Sequence, residues 1–128
     1  MELAQMTSNA TTCYRDAHLE VDLKGRSVTL DSQHLALTRK EYELLSLLVE
    51  NAGEVIRREV LLMRVWGYSK EIRTRTLDVH IRRLRKKLGA HSQGYLETIF
   101  GVGYRFQPFF GTHRFEASLT ASALPLSA

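Results

Sequence analysis

One stretch, RTRTLDVHIRRLRKKLG from Arg73 to Gly89, restricts the fold more than any other part of the chain. It carries Arg73, Arg75, Arg82, Arg83, Arg85, Lys86 and Lys87 against one carboxylate, Asp78. An apolar residue also recurs at every helical turn. At about 100° per residue, Leu77, Ile81, Leu84 and Leu88 fall within roughly 60° of one another. They form a side that must pack. The side opposite holds Arg75, Val79, Arg82 and Lys86, edged by Asp78 and Arg85 on one flank and Thr76 and Arg83 on the other. The charge is therefore a face and not a ring. Such a face either lies in solvent, where it repels itself, or meets an anion.

The chain around this helix is built to pack against it. At 128 residues it is expected to be one domain with tails, and 44% apolar residues suffice for an ordinary core. From Thr12 to Leu37 the apolar period is two: Leu19, Val21 and Leu23; then Val28 and Leu30; then Leu35 and Leu37. Lys24-Gly25 and Asp31-Ser32 punctuate these runs as turns, so with TCYR they predict three or four short antiparallel strands. At Thr38 the period changes. TRKE (Thr38 to Glu41) is a capping box, and the helix it opens is apolar on most sides, as a central helix should be. It ends near Gly53. A short extended link, Glu54 to Ile56, leads to a second helix, Arg57 to Trp66, stopped by Gly67. The basic helix follows a loop and closes at Gly89. Beyond it, YLETIFGVGYRF reads as a hairpin, with Leu96 and Thr98 on one side and Tyr95, Glu97 and Ile99 on the other, turning at Gly101 and Gly103. Residues 1–11 read as a flexible leader and 108–128 as a disordered tail.

The net charge of +4 favours an acidic partner, a nucleic acid or an anionic membrane surface. No apolar run reaches the roughly 18 residues of a membrane span. The N-terminal residues lack a signal-peptide layout. Cys13 is the only cysteine, so no internal disulfide can form, and a cytoplasmic location fits. His18, His34, His80, His91 and His113 are scattered, and no metal-ligand spacing or nucleophile–base pair is visible. Neither a cofactor nor an enzymatic activity is expected. A membrane-surface helix would need a free apolar face, and here that face is committed to the core.

Val79 and Asp78 sharpen the reading. A valine at the centre of a solvated charged face has no purpose, but in a DNA major groove its methyls can meet a thymine methyl. Asp78 could accept from cytosine N4 or merely orient Arg82. Arg82 or Arg83 suits guanine O6 and N7 as a fork. The remaining cations, Lys86 among them, would contact phosphates. Helix, turn, basic helix and hairpin is also the order of a winged helix-turn-helix.

Taken together, LTRKEYELLSLLVENAGEVIRREVLLMRVWG, RTRTLDVHIRRLRKKLG and YLETIFGVGYRF resemble the winged-helix effector domain of OmpR/PhoB-type response regulators, over about residues 12–107. The resemblance implies an α+β fold: an N-terminal four-stranded antiparallel sheet, three helices and a C-terminal hairpin wing. It implies a transcription regulator that binds double-stranded DNA, with helix 74–88 in the major groove and hairpin 95–107 as wing. Thr76, Asp78 and Arg83 match base-approaching positions. Trp66, Arg75, His80, Arg82, Arg85 and Tyr104 match phosphate-contacting ones. Phe100, Gly101 and Val102 form the wing tip. Tyr68, Ser69, Lys70, Glu71, Ile72 and Arg73 match a loop that can engage RNA polymerase or its sigma subunit. A monomer in isolation and a head-to-tail dimer on direct-repeat half-sites are implied. So are a receiver domain and a sensor kinase outside this chain, which reads as an excised effector domain in preference to a stand-alone regulator.

Two positions depart from the family pattern. Phe100 stands where a wing arginine is common; it is expected to pack under the hairpin or to touch a sugar, in preference to acting as an apolar wedge, with a weaker flanking A·T preference as the result. Arg57 stands where a Ser or Thr commonly caps the second helix. Its charge opposes the helix dipole by roughly 0.3–1 kcal/mol, and a nearby phosphate would compensate.

Overall fold

A computed structural model describes residues 13–67 and 74–109. These fall into two compact units divided at Leu37, the second ending at Gln107, where the sequence reading draws a single domain across 12–107. The strand pairing accounts for the division, because each unit closes its own sheet.

The first unit holds β1 (Cys13–Arg15), β2 (Leu19–Asp22), β3 (Ser27–Leu30) and β4 (Gln33–His34), antiparallel in that order. Tyr14, Val21 and Val28 are register partners across three strands, and all are buried. The turns follow their residue chemistry. Asp16 Oδ1 accepts from the amides of His18 and Leu19, both at 2.8 Å. Asp22 Oδ1 accepts from the amides of Lys24 and Gly25. Asp31 and Ser32 take φ of 49° and 68°, the mirror-image turn that suits a two-residue hairpin. The last strand is shorter than the alternation predicts. Leu35 and Leu37 lie beyond it: the strand stops at the Thr29–His34 rung, and past it a single bond, the Leu35 amide on the Val28 carbonyl at 2.8 Å, still reaches β3.

The second unit begins with α1 (Arg39–Glu50), and the capping box forms as expected. The Glu41 amide donates to Thr38 Oγ1 at 3.2 Å, and the Thr38 amide donates to Glu41 Oε1 at 2.9 Å. Tyr42, Leu44, Leu45, Leu47, Leu48 and Val49 are buried, so α1 is the central helix of this unit. It packs on α2 (Arg58–Trp66) and α3 (Thr74–Leu88). The Lys40 ammonium donates to the Val65 carbonyl at 2.7 Å, covering an orphan acceptor in the last turn of α2. The Lys87 ammonium reaches Glu41 Oε1 at 2.6 Å and ties the end of α3 to the start of α1.

Two parts of this unit differ from the sequence expectation. Val55–Arg57 is not a plain link: it is a strand, β5, paired with β7 (Gly103–Phe106), which pairs with β6 (Leu96–Ile99). A short β-branched run is a strand only if a partner arrives, and the partner comes from nearly fifty residues downstream. Tyr95 is not a strand residue either. It closes a four-residue helix, α4 (Ser92–Tyr95), after a 3₁₀ turn at Gly89–His91, and its ring stacks on Phe106 with centroids 5.4 Å apart. No helix among the described residues is long and apolar enough to cross a membrane.

Candidate nucleic-acid interface

Helix α3 presents the two faces that its periodicity predicts. Leu77, Ile81, Leu84 and Leu88 are at most 1% exposed, while Arg75, Arg82, Arg83 and Lys86 are exposed. Thr76, Asp78, Val79 and His80 are half-buried, so Val79 is partly sheltered and does not stand bare on the polar face.

Asp78 is not held by Arg82. Its partner comes from another element: Arg58 Nη2, in the first turn of α2, donates to both Asp78 oxygens at 2.8 Å. The Tyr104 hydroxyl of β7 donates to Asp78 Oδ1 at 2.7 Å. The Arg58 guanidinium also lies 5.8 Å from the Tyr104 ring centroid. Burial raises the Asp78 pKa, but the Tyr104 hydroxyl and the Arg58 cation outweigh it and hold the carboxyl below its ordinary range. Burial, followed by the Asp78 carboxylate, pushes the Tyr104 phenol above its ordinary value. The one carboxylate of the basic helix, its side chain 45% exposed, is thus compensated by groups of the same unit, where a bare anion would repel phosphates.

Arg85 is drawn inward as well. Its Nη2 donates to the Leu96 carbonyl at 2.9 Å and to Thr98 Oγ1 at 2.7 Å, and its guanidinium lies 5.9 Å from the Tyr104 ring. These bonds fasten α3 to the hairpin. Tyr104 spends its only proton on Asp78, so contact with a phosphate would require that bond to be exchanged. His80 Nδ1 lies 2.9 Å from the Thr76 carbonyl, and its ring packs edge-on against Trp66 at 4.8 Å. A carbonyl only accepts, so Nδ1 carries the proton and Nε2 is the ring atom left for another partner.

The hairpin turns through Phe100, Gly101 and Val102, closed by the Val102 amide on the Ile99 carbonyl at 2.9 Å. Gly101 takes φ of +79°, which suits only glycine well. Phe100 does not pack under the hairpin: it is 89% exposed, because strand alternation ends at Ile99 and the turn aims the ring outward. Arg57 stands at the N-cap of α2 and makes no side-chain cap bond, as its chemistry requires. The protein itself supplies part of the expected compensation. The amide of Arg58 donates to the Val102 carbonyl at 3.0 Å, so a hairpin carbonyl does the work of a cap. The loop from Tyr68 to Arg73, the leader and residues 110–128 lie outside the described residues.

With this geometry, comparison with known proteins is decisive. The family model described as "Transcriptional regulatory protein, C terminal" matches residues 32–106. The chain belongs to that family, the OmpR/PhoB-type effector domains. It is 47% identical over 87 residues to the uncharacterized transcriptional regulatory protein YclJ of Bacillus subtilis, covering 67% of this chain and 38% of YclJ. Among solved structures it is similar to the response regulator DrrB of Thermotoga maritima, an OmpR/PhoB homolog, with a TM-score of 0.69 and 37% identity, over 75% of this chain and 44% of that one. It is also similar to the Klebsiella pneumoniae RstA DNA-binding domain, solved in complex with the RstA box (TM-score 0.67, 31% identity, 76% of this chain and 98% of that one). The chain spans about two fifths of the length of the curated relatives it matches.

Within this effector-domain fold, sequence reasoning missed Arg58. The available signal was Asp78 itself: a lone carboxylate on a basic helix needs a cation, and a second arginine stands at the start of the preceding helix. Distance along the chain hid the pair.

Proposed function

We propose that this domain binds double-stranded DNA sequence-specifically, as the output domain of a transcriptional response regulator. The observation that carries this reading is the split of α3 between a buried apolar side and an exposed row, Arg75, Arg82, Arg83 and Lys86, fastened to a hairpin by Arg85. Helix 74–88 enters the major groove and the hairpin of β6 and β7, Leu96 to Phe106, serves as wing. Thr76, Val79 and Arg83 meet base edges; Arg83 supplies the guanine fork. Arg75, Arg82 and Lys86, with the Trp66 indole N–H and His80 as an imidazolium donating from Nε2, contact phosphates. Asp78, Arg85 and Tyr104 act first by positioning, since their polar groups are engaged within the fold. The RstA domain, solved with its DNA box, supports the choice of partner.

Several finer expectations belong to the same proposal. The domain is a monomer alone and forms head-to-tail pairs on direct-repeat half-sites. The 68–73 loop engages RNA polymerase or its sigma subunit. A receiver domain, controlled by a sensor kinase, governs the output in the cytoplasm. No catalytic step belongs to it.

The test is selection of sites from random duplexes at about 150 mM salt, with wild type and Arg83→Ala side by side. A direct repeat should emerge, with half-sites about one helical turn apart. Arg83→Ala should relax one base position and cost about 1–3 kcal/mol. If no motif emerged and both proteins weakened alike with salt, the arginines would serve phosphates alone and the reading would fall.

A further inference from the structure

Phe100 and Arg57 belong to different elements and are far apart in sequence, yet the sheet brings their segments together. Arg57 is the register partner of Gly103, two residues past the turn glycine, Gly101. The approach is close: a Cβ on Gly103 would stand 2.0 Å from the Ile56 carbonyl oxygen and 2.9 Å from Arg57 Cα. The next peptide is tied as well, by the Arg58 amide on the Val102 carbonyl. The strand that carries Arg57 therefore cannot drift from the hairpin tip.

What this tip presents is unusual. The ring of Phe100 is 89% exposed and Val102 is 42% exposed, so an apolar end stands in water. The Arg57 side chain is 68% exposed and makes an open pair to Glu59 at 3.5 Å. An exposed pair of that kind is weak and gives way to a stronger anion. Behind the tip the hairpin is stiff: Arg105 bridges to Glu97 across the strands at 2.8 Å, and Arg85 holds Leu96 and Thr98. An arm ending in one exposed aromatic ring, with an exposed cation on the strand paired to it, matches a deoxyribose face and a phosphate close to it.

We infer that Phe100 and Arg57 form one composite contact to the DNA backbone flanking the site that α3 reads, the ring on a sugar and the guanidinium on the neighbouring phosphate. This rests on the DNA-binding reading above and deepens it. The contact adds affinity without reading bases. It is reached only when the duplex extends past the major-groove site.

The test uses the full chain and the duplex recovered by site selection, in two forms: one extended by about one helical turn on each side, one trimmed to the selected site. Phe100→Ala, Arg57→Ala, the double variant and Arg83→Ala are compared with wild type by titration at several salt concentrations. On the extended duplex Phe100→Ala should lose roughly tenfold in affinity with an unchanged salt slope. Arg57→Ala should lower the slope by about 0.9, one phosphate. On the trimmed duplex neither should differ from wild type. Both side chains are exposed, so thermal melts should match wild type.

If both variants bound the extended duplex like wild type while Arg83→Ala failed, the composite contact would be wrong and groove reading would stand. If Arg83→Ala were silent too, the groove reading itself would be lost. If Phe100→Ala altered only self-association in sedimentation, the tip would be a protein contact and the inference would fail.

Discussion

Asp78 carries the most information at the scale of single residues. Viewed along the helix it is an anion among cations; viewed in the fold it joins α2, α3 and β7. Arg58→Ala should therefore act on every sequence alike. It leaves a carboxylate uncompensated beside the phosphates, so affinity falls while base preference, measured by site selection, holds. Folding should lose about 1–3 kcal/mol, read by chemical denaturation. Glu41 makes a different prediction. It is 1% exposed, and burial raises its pKa, but the Lys87 ammonium and the Thr38 amide together bring it below the ordinary range. A carboxyl with a depressed folded pKa contributes stability above its unfolded value and loses it as pH falls through the folded one. The urea midpoint of the wild type should thus fall more steeply from about pH 5 to about pH 3 than that of Glu41→Gln, which keeps an oxygen for the Thr38 amide. Equal slopes would mean that the pair is energetically silent.

Among the elements, the hairpin shows how much a strand owes to its neighbours. Its turn was legible in GVG, and its alternation in LETI. Its third strand was not, because Val55–Arg57 offers three residues and no pattern of its own. Gly103 makes that third strand possible. Gly103→Ala should force β5 away from β7, cost about 1–3 kcal/mol and speed amide exchange at the Arg57 end of the ladder. Gly101→Ala has open space around it and meets only the φ of +79°, so it should cost about 1 kcal/mol and leave exchange in β5 unchanged. A larger effect at Gly101 than at Gly103 would contradict this account of the sheet.

For the whole molecule the consequence is a division of labour between charges. Arg82→Ala and Lys86→Ala should each weaken binding evenly over all sequences and lower the salt slope by about 1, whereas Arg83→Ala should narrow the gap between specific and non-specific sites. Filter binding across a salt series separates the two behaviours. If Arg82→Ala changed base preference, the guanine fork would belong to Arg82, the alternative that the helix wheel left open.

The sequence alone determined whatever depends on neighbours a few residues apart. The capping box of α1, the buried stripe of α3, the Asp31-Ser32 turn and the uncapped Arg57 are all local, and each follows from spacing and side-chain chemistry. Only the tertiary structure decided what long-range pairing controls. It turned Val55–Arg57 into a strand, gave Asp78 to Arg58 and Tyr104, drew Arg85 onto the hairpin and left Phe100 outside. The physical reason is range. A turn or a cap is decided by the chain's own backbone within one helical turn, but a charge finds its partner only when folding has set distant segments within 3 Å of each other.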